Sequence, residues 1–167
     1  LDITPVTISL NVSRVHLQTD DFVKKINHMV DRHQIPHQYL EFELTESNQT
    51  IDQIRFDDYI QKIKSLGISI SLDDVGTDYA SLRMLIIEGI DVLKIDRSLI
   101  VQIDKENTQV LLKHLSAMAH ELGIKVLAEG VETDDVRQAL EELNCDYYQG
   151  YLLSPPIPVD KFKQEFL

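Results

Sequence analysis

The chain predicts an α/β fold in which parallel strands alternate with helices, a TIM-type (β/α)8 barrel that is incomplete at its N-terminus. Three observations predict it. Six short strand-like stretches each end on a polar or ionisable cluster: Leu10-Asn11-Val12-Ser13, Glu43-Leu44-Thr45-Glu46, Leu72-Asp73-Asp74-Val75-Gly76, Leu93-Lys94-Ile95-Asp96, Ala128-Glu129-Gly130-Val131-Glu132 and Gln149-Gly150-Tyr151. Side chains alternate along each stretch, so that one face is polar and the other apolar. The strand ends fall at 11, 43, 73, 94, 129 and 149, and the gaps of 32, 30, 21, 35 and 20 residues hold helix patterns. An antiparallel sheet with one wet face also alternates, but its hairpins turn in two to five residues. Crossovers of this length belong to parallel strands, whose C-terminal ends meet at one ligand site.

The elements follow in order. In the first strand Thr7, Ser9 and Asn11 share a face. A helix over Asp20 to Arg32 turns Phe22, Val23, Ile26, Met29 and Val30 inward at helical spacing, and Pro36 marks the next turn. Glu41, Glu43 and Thr45 share a face of the second strand. Ile51 to Leu66 is helical, with Phe56, Tyr59, Ile60, Ile63 and Leu66 inward and Gly67 as C-terminal cap. The third strand places Ser69, Ser71 and Asp73 together, and a short helix over Tyr79 to Ile87 follows its loop. Lys94 and Asp96 share a face of the fourth strand. The next helix, Asp104 to Leu122, carries Val110, Leu111, Leu115, Met118, Ala119 and Leu122 inward, and Gly123 ends it. Lys125, Leu127 and Glu129 form the polar face of the fifth strand, more weakly than the others. Thr133 caps a helix through Leu143, with Val136, Leu140 and Leu143 inward. After Ser154-Pro155-Pro156-Ile157-Pro158 a last helix turns Phe162 and Phe166 inward.

Composition bounds the function. With 167 residues, 43% hydrophobic and 26% charged, the chain reads as one domain over residues 1–167 with an ordinary soluble core. No apolar run reaches the roughly 20 residues that span a bilayer, so no membrane insertion is expected of this segment. The lone Cys145 excludes a disulfide framework and suits a reducing cytoplasm. A net charge of −12, from 16 basic and 28 acidic residues, argues against DNA or RNA as a partner. An acidic site would also repel an anionic substrate unless divalent cations bridge the two. The six histidines show no metal spacing with one another and read as surface or helix residues.

In these six motifs, in this order and at similar spacing, the chain resembles the EAL-domain family of bacterial cyclic di-GMP phosphodiesterases. The resemblance runs through Leu-Asn-Val-Ser, Glu-Leu-Thr-Glu-Ser, Asp-Asp-x-Gly-Thr, Leu-Lys-Ile-Asp, Ala-Glu-Gly-Val-Glu-Thr and Gln-Gly-Tyr, and covers nearly the whole chain. It implies metal-dependent hydrolysis of cyclic di-GMP to linear pGpG with Mg²⁺ or Mn²⁺ at a two-metal site. Asn11 and Glu43 match family metal ligands, which agrees with the preference of hard cations for amide and carboxylate oxygens. Asp73 and Asp74 match the pair that holds two metals. Lys94 matches a lysine near the attacking water, although a structural ion pair with Glu129 or Asp96 is also open to it. Glu129 matches a glutamate that is either general base or second-metal contact. Glu46 and Glu132 match residues that hold the loop after the third strand, Gln149 one near substrate and metal, and Asp96 belongs to the same surrounding set.

The chain departs from the family pattern at Val75, where an aromatic is usual, and at Asp78, where glycine is usual. In the family this loop couples dimerisation to metal binding, so a homodimer is expected of an intact loop. The namesake Glu-Ala-Leu does not occur in the sequence. The chain therefore reads as the C-terminal part of the domain, of low activity until the upstream strand and its metal-ligating glutamate are restored. Sensory or regulatory domains are expected in the parent protein, which membrane segments elsewhere can anchor. Two alternatives remain: a catalytically silent domain that binds cyclic di-GMP as a receptor, and an unrelated metal-dependent barrel lyase. The Asp-Asp pair and the Gln-Gly-Tyr segment speak against the second.

Overall fold

The computed structural model describes residues 5–13, 21–44, 53–76 and 84–167. Six strands form one sheet in chain order: β1 (Ile8–Val12), β2 (Leu40–Leu44), β3 (Ser69–Val75), β4 (Val92–Ile95), β5 (Lys125–Glu129) and β6 (Tyr147–Gln149). Every pairing is parallel. Between and after them lie α1 (Phe22–Arg32), α2 (Gln53–Ser65), α3 (Arg97–Ile100), α4 (Glu106–Glu121), α5 (Asp134–Glu142) and α6 (Val159–Phe166). This is an open arc of a (β/α) barrel, with β1 and β6 as its edges among the described residues.

The alternation read from the sequence decides which face is core. Leu40, Phe42 and Leu44 of β2, Ile70 and Leu72 of β3, Leu93 and Ile95 of β4, and Val126 and Ala128 of β5 are buried. They join one apolar cluster with Phe56, Ile60 and Ile63 of α2, Leu112, Leu115 and Ala119 of α4, and Leu140 of α5. Phe22 of α1 reaches Phe42 with ring centroids 6.2 Å apart and planes tilted by 53°, a favourable offset geometry. Four helices end on a left-handed residue: Gln34, Gly67, Gly123 and Asn144. After three of them the next N–H reaches back to the last turn, as in Ile35 to Val30, Ile124 to Ala119 and Cys145 to Leu140. Such caps satisfy carbonyls that a helix end otherwise leaves orphaned.

Several inward assignments differ. On α4 the buried residues are Thr108, Leu112, Leu115, Ser116 and Ala119, whereas Val110, Leu111, Met118 and Leu122 are exposed. The helix is apolar on two sides, so periodicity alone did not select the face. Met29 of α1 and Phe166 of α6 are exposed too. Phe166 stacks on Phe162 at 5.2 Å instead of entering the core. Helix α3 was not expected. It forms because Asp96 caps it, its carboxylate accepting the Ser98 N–H at 2.8 Å. Of the short helix expected over Tyr79–Ile87, residues 79–83 lie outside the described residues, Met84 is helical, and Leu85 to Gly89 run in turns and a bend. Val75 is buried in the core despite its size. Asp78 lies outside the described residues.

The N-terminal ends of two strands are pinned by a repeated device. Just before β4, Asp91 accepts the Ile70 N–H on a carboxylate oxygen (2.8 Å) and Lys64 Nζ on both (2.6 Å). Just before β6, Asp146 accepts the Val126 N–H (2.8 Å), Lys125 Nζ (2.7 Å) and a 2.7 Å bond from His120 Nε2. Each aspartate extends the ladder with its backbone as well. Burial alone would raise the Asp146 pKa, but its bonds to Lys125, Val126 N–H and His120 outweigh this and hold it at about 2. This group is depressed below the roughly 3.9 of an unfolded aspartate. Its contribution is therefore fully present above about pH 4 and lost as pH falls through about 2. Asp146→Asn is expected to lower stability at pH 7 by about 1–3 kcal/mol and to flatten the acid limb of the stability curve between those values. Denaturant unfolding against pH measures both, and an unchanged acid limb would contradict the assignment.

Candidate active site

The opposite, polar faces of the strands converge at their C-terminal ends. Parallel register sets Asn11 beside Glu43 and Glu43 beside Ser71. Between Leu72 and Val75 the β3–β4 register slips, so that three steps of β3 oppose two of β4. Asp73 and Asp74 occupy the bulge. Asp74 takes a left-handed backbone, φ 58°, at a cost of about 1–2 kcal/mol for most L residues and less for aspartate. Strain of this kind collects at functional sites, because it re-aims a side chain that a regular strand would send elsewhere.

Lys94 organises what converges. It stands mid-strand on β4, only 3% exposed. Its Nζ lies 2.7 Å from Glu129 Oε1, 2.8 Å from Glu43 Oε1 and 3.1 Å from Asp73 Oδ1. One ammonium thus joins the ends of four strands, β2 to β5. Burial alone would lower the lysine pKa, but the bonds to Glu129, Glu43 and Asp73 and the charge of Glu129 raise it, so Lys94 stays protonated. Glu129 is shifted up, by burial first, with Lys94 opposing and the charges of Asp73 and Glu43 adding. Asp74 is also shifted up, by burial and then by the charges of Asp73 and Asp96. Burial is the first cause of both upward shifts, and the neighbouring acids add to it.

The remaining sequence candidates fall around this centre. Asn11 is exposed at the end of β1. Asp96 is committed to the α3 cap but is close enough to bear on Asp74. Glu132 pairs with Arg97 Nη2 at 2.7 Å. Gln149 neighbours Glu129 in the β5–β6 register, and its carbonyl accepts the Val131 N–H at 3.0 Å. Glu46 lies outside the described residues. A cleft of about 200 Å³ opens beside Glu129, lined also by Arg97, Glu132, Gln149 and Tyr151. Arg97 was not singled out from the sequence, and Tyr151 only as the last residue of a motif. The one signal for Arg97 is adjacency to the Lys94-Ile95-Asp96 motif.

The donors at the strand ends suit a divalent metal. Glu43, Asp73, Asp74 and Glu129 offer hard carboxylate oxygens and Asn11 an amide oxygen, the donor set that Mg²⁺ and Mn²⁺ prefer. Among the described residues no three Asp, Glu, His or Cys side chains stand as a ready-made cage; three carboxylates converge on Lys94 instead. The donor chemistry fits a divalent cation, which these residues would hold and whose positive charge would offset the charge of the clustered carboxylates.

Removing the ammonium would leave those carboxylates facing one another. Lys94→Met is expected to lower the unfolding free energy at pH 7 by about 3–5 kcal/mol. Acids with raised folded-state pKa bind protons more readily folded than unfolded, so the deficit shrinks as pH falls towards 5. Urea unfolding at the two pH values checks this, and a deficit equal at both would refute the charge account.

Comparison with known proteins agrees with this geometry. The EAL domain family model matches residues 2–156. Signaling protein YkoW of Bacillus subtilis is 37% identical over 95% of the chain, and the match covers 20% of YkoW. The protein named cyclic di-GMP phosphodiesterase NbdA of Pseudomonas aeruginosa is 34% identical over 96% of the chain and 20% of its own length. The chain thus spans about one fifth of either relative. The solved EAL enzyme Bd1971, in its cAMP- and cyclic-di-GMP-bound form, superposes with a TM-score of 0.89 at 31% identity, covering 95% of this chain and 42% of that one. No helix among the described residues is long and apolar enough to cross a membrane. The alternating strands, their charged C-terminal ends and the family match over residues 2–156 lead to one assignment: the chain belongs to the EAL-domain family.

Proposed function

We propose that this chain is the catalytic part of a phosphodiesterase that hydrolyses cyclic di-GMP to linear pGpG in the bacterial cytoplasm. The observation that supports it most is the buried Lys94 ammonium held among Glu43, Asp73 and Glu129 at the strand ends. Mg²⁺ or Mn²⁺, held by Asn11, Glu43, Asp73, Asp74 and Glu129, would supply positive charge that lets an anionic substrate approach and would acidify the attacking water. Glu129, with its pKa raised by burial, is suited to accept the proton that this water gives up. Lys94 cannot serve as a base, since it stays protonated. It positions the water and offsets the negative charge that builds on the phosphoryl oxygens. The water oxygen bonds to phosphorus as the bond to the 3′ oxygen breaks, and that oxygen takes up a proton to leave a 3′ hydroxyl. Gln149 and Glu132 border the substrate, Asp96 fixes the backbone after Lys94, and Glu46 supports the loop that follows β3. A homodimer and attached sensory domains belong to the same reading.

The test is cyclic di-GMP turnover by chromatography with Mg²⁺ and with Mn²⁺, alongside calorimetric binding. Turnover to pGpG is expected with either metal and none in chelator. Glu129→Gln should lower kcat by about 10²–10⁴ while the ligand still binds. Binding without any turnover would favour the receptor reading, and neither binding nor turnover would overturn both.

A further inference from the structure

The Arg97–Glu132 pair beside the site is not accounted for by stability. Both side chains are about half exposed, at 58% and 46%, and ion pairs so placed contribute little to folding. Yet the structure reserves space for it. A Cβ at Gly130 would lie 2.4 Å from Arg97 Cγ and 2.8 Å from its Cβ and Cδ. Gly130 also has φ +71°, where a side chain is strained in any case. The backbone of β5 thus yields to the stem of Arg97 immediately after Glu129. The other end of that stem is fixed by Asp96, which caps α3 and sets where Arg97 begins.

Arg97 lines the cleft that opens on Glu129, and it is the one cationic residue among the described residues lining it. At about 200 Å³ this cleft falls below the range of roughly 300–1,000 Å³ that takes a whole small ligand. It suits one flat group of a larger molecule whose phosphate lies over Glu129 and Lys94. Tyr151, exposed on the same cleft, offers a ring face to such a group. A planar fork of donors suits two adjacent acceptors, and among nucleobases the O6 and N7 edge of guanine presents that pair, whereas adenine puts a donor at the sixth position.

We propose that Arg97 reads one guanine of the substrate, its guanidinium donating to O6 and N7 while Glu132 holds the fork in plane. This rests on the cyclic di-GMP reading above. Arg97 then selects the substrate by its base, and the acidic cluster acts on its phosphate.

Two ratios test it in Arg97→Ala and the unaltered protein, both of which cancel general damage to the fold. The first is kcat/KM for cyclic di-GMP over that for bis(p-nitrophenyl) phosphate, a phosphodiester without a base. The second is the calorimetric affinity for cyclic di-GMP over that for cyclic di-AMP, measured with Ca²⁺ in place of the activating metal. Each ratio is expected to fall at least tenfold in the variant. Ratios within twofold of the unaltered protein, or equal losses on both phosphodiesters, would overturn the assignment. If the unaltered protein hydrolyses neither compound, the phosphodiesterase reading fails, and the affinity ratio still decides the role of Arg97.

Discussion

A single buried ammonium governs the mouth of this sheet. Lys94 draws carboxylates from β2, β3 and β5 to within 3.1 Å, so that four strands are tied electrostatically where their backbones begin to diverge. Desolvating one cation and three acids is costly, and the arrangement is tolerable only because each bond to Nζ is short. The arrangement sets a permanently charged donor at fixed height next to an acid that burial has made more basic, which supports the proposed hydrolysis. The bulge at Asp73-Asp74 serves the same centre, since it offers two adjacent carboxylates where a regular strand would turn one outward.

The two ends of the strands divide the work. Asp91 and Asp146 hold the N-terminal ends with bonds to backbone and lysine that satisfy every partner they meet. The C-terminal ends instead gather the acids Glu43, Asp73 and Glu129 around one ammonium, and burial shifts Asp74 and Glu129 upward. A sheet secured at one end can hold unfavourable charge at the other, which agrees with the general rule that barrel enzymes keep stability and activity on opposite faces.

Much of this was legible in the sequence because strand period and crossover length are local signals. Glu43, Asp73, Lys94 and Glu129 could be placed on one polar face by alternation alone, and the parallel order followed from gaps of 20 to 35 residues. What escaped depends on contacts between distant segments. Nothing near Lys94 in the chain says that three carboxylates meet on its nitrogen. Asp146 reads as an ordinary loop acid until Val126 and His120, some 20 and 26 residues away, are seen to bond it. Helix α4 carries apolar residues on both sides, so its inner face was a matter of packing and not of period. Arg97 was passed over because its partner surface, the missing side chain of Gly130, is an absence that a sequence does not display.

The order of the strands also bears on how the chain reaches its native state. Each strand pairs with the one before it, and paired residues are never more than 33 positions apart, as in Leu93 with Val126, nor fewer than 20, as in Ala128 with Tyr148. Loop closure of this size costs little more for one pair than for another, because the penalty grows only with the logarithm of length. The described sheet can therefore grow by accretion, each βα unit templating its successor, with no pairing among the described residues that skips a strand. Lys94 needs long-range partners from both directions: Glu43 and Asp73 precede it, and Glu129 arrives last. The electrostatic tie at the mouth is consequently the step that registers completion of the fifth strand.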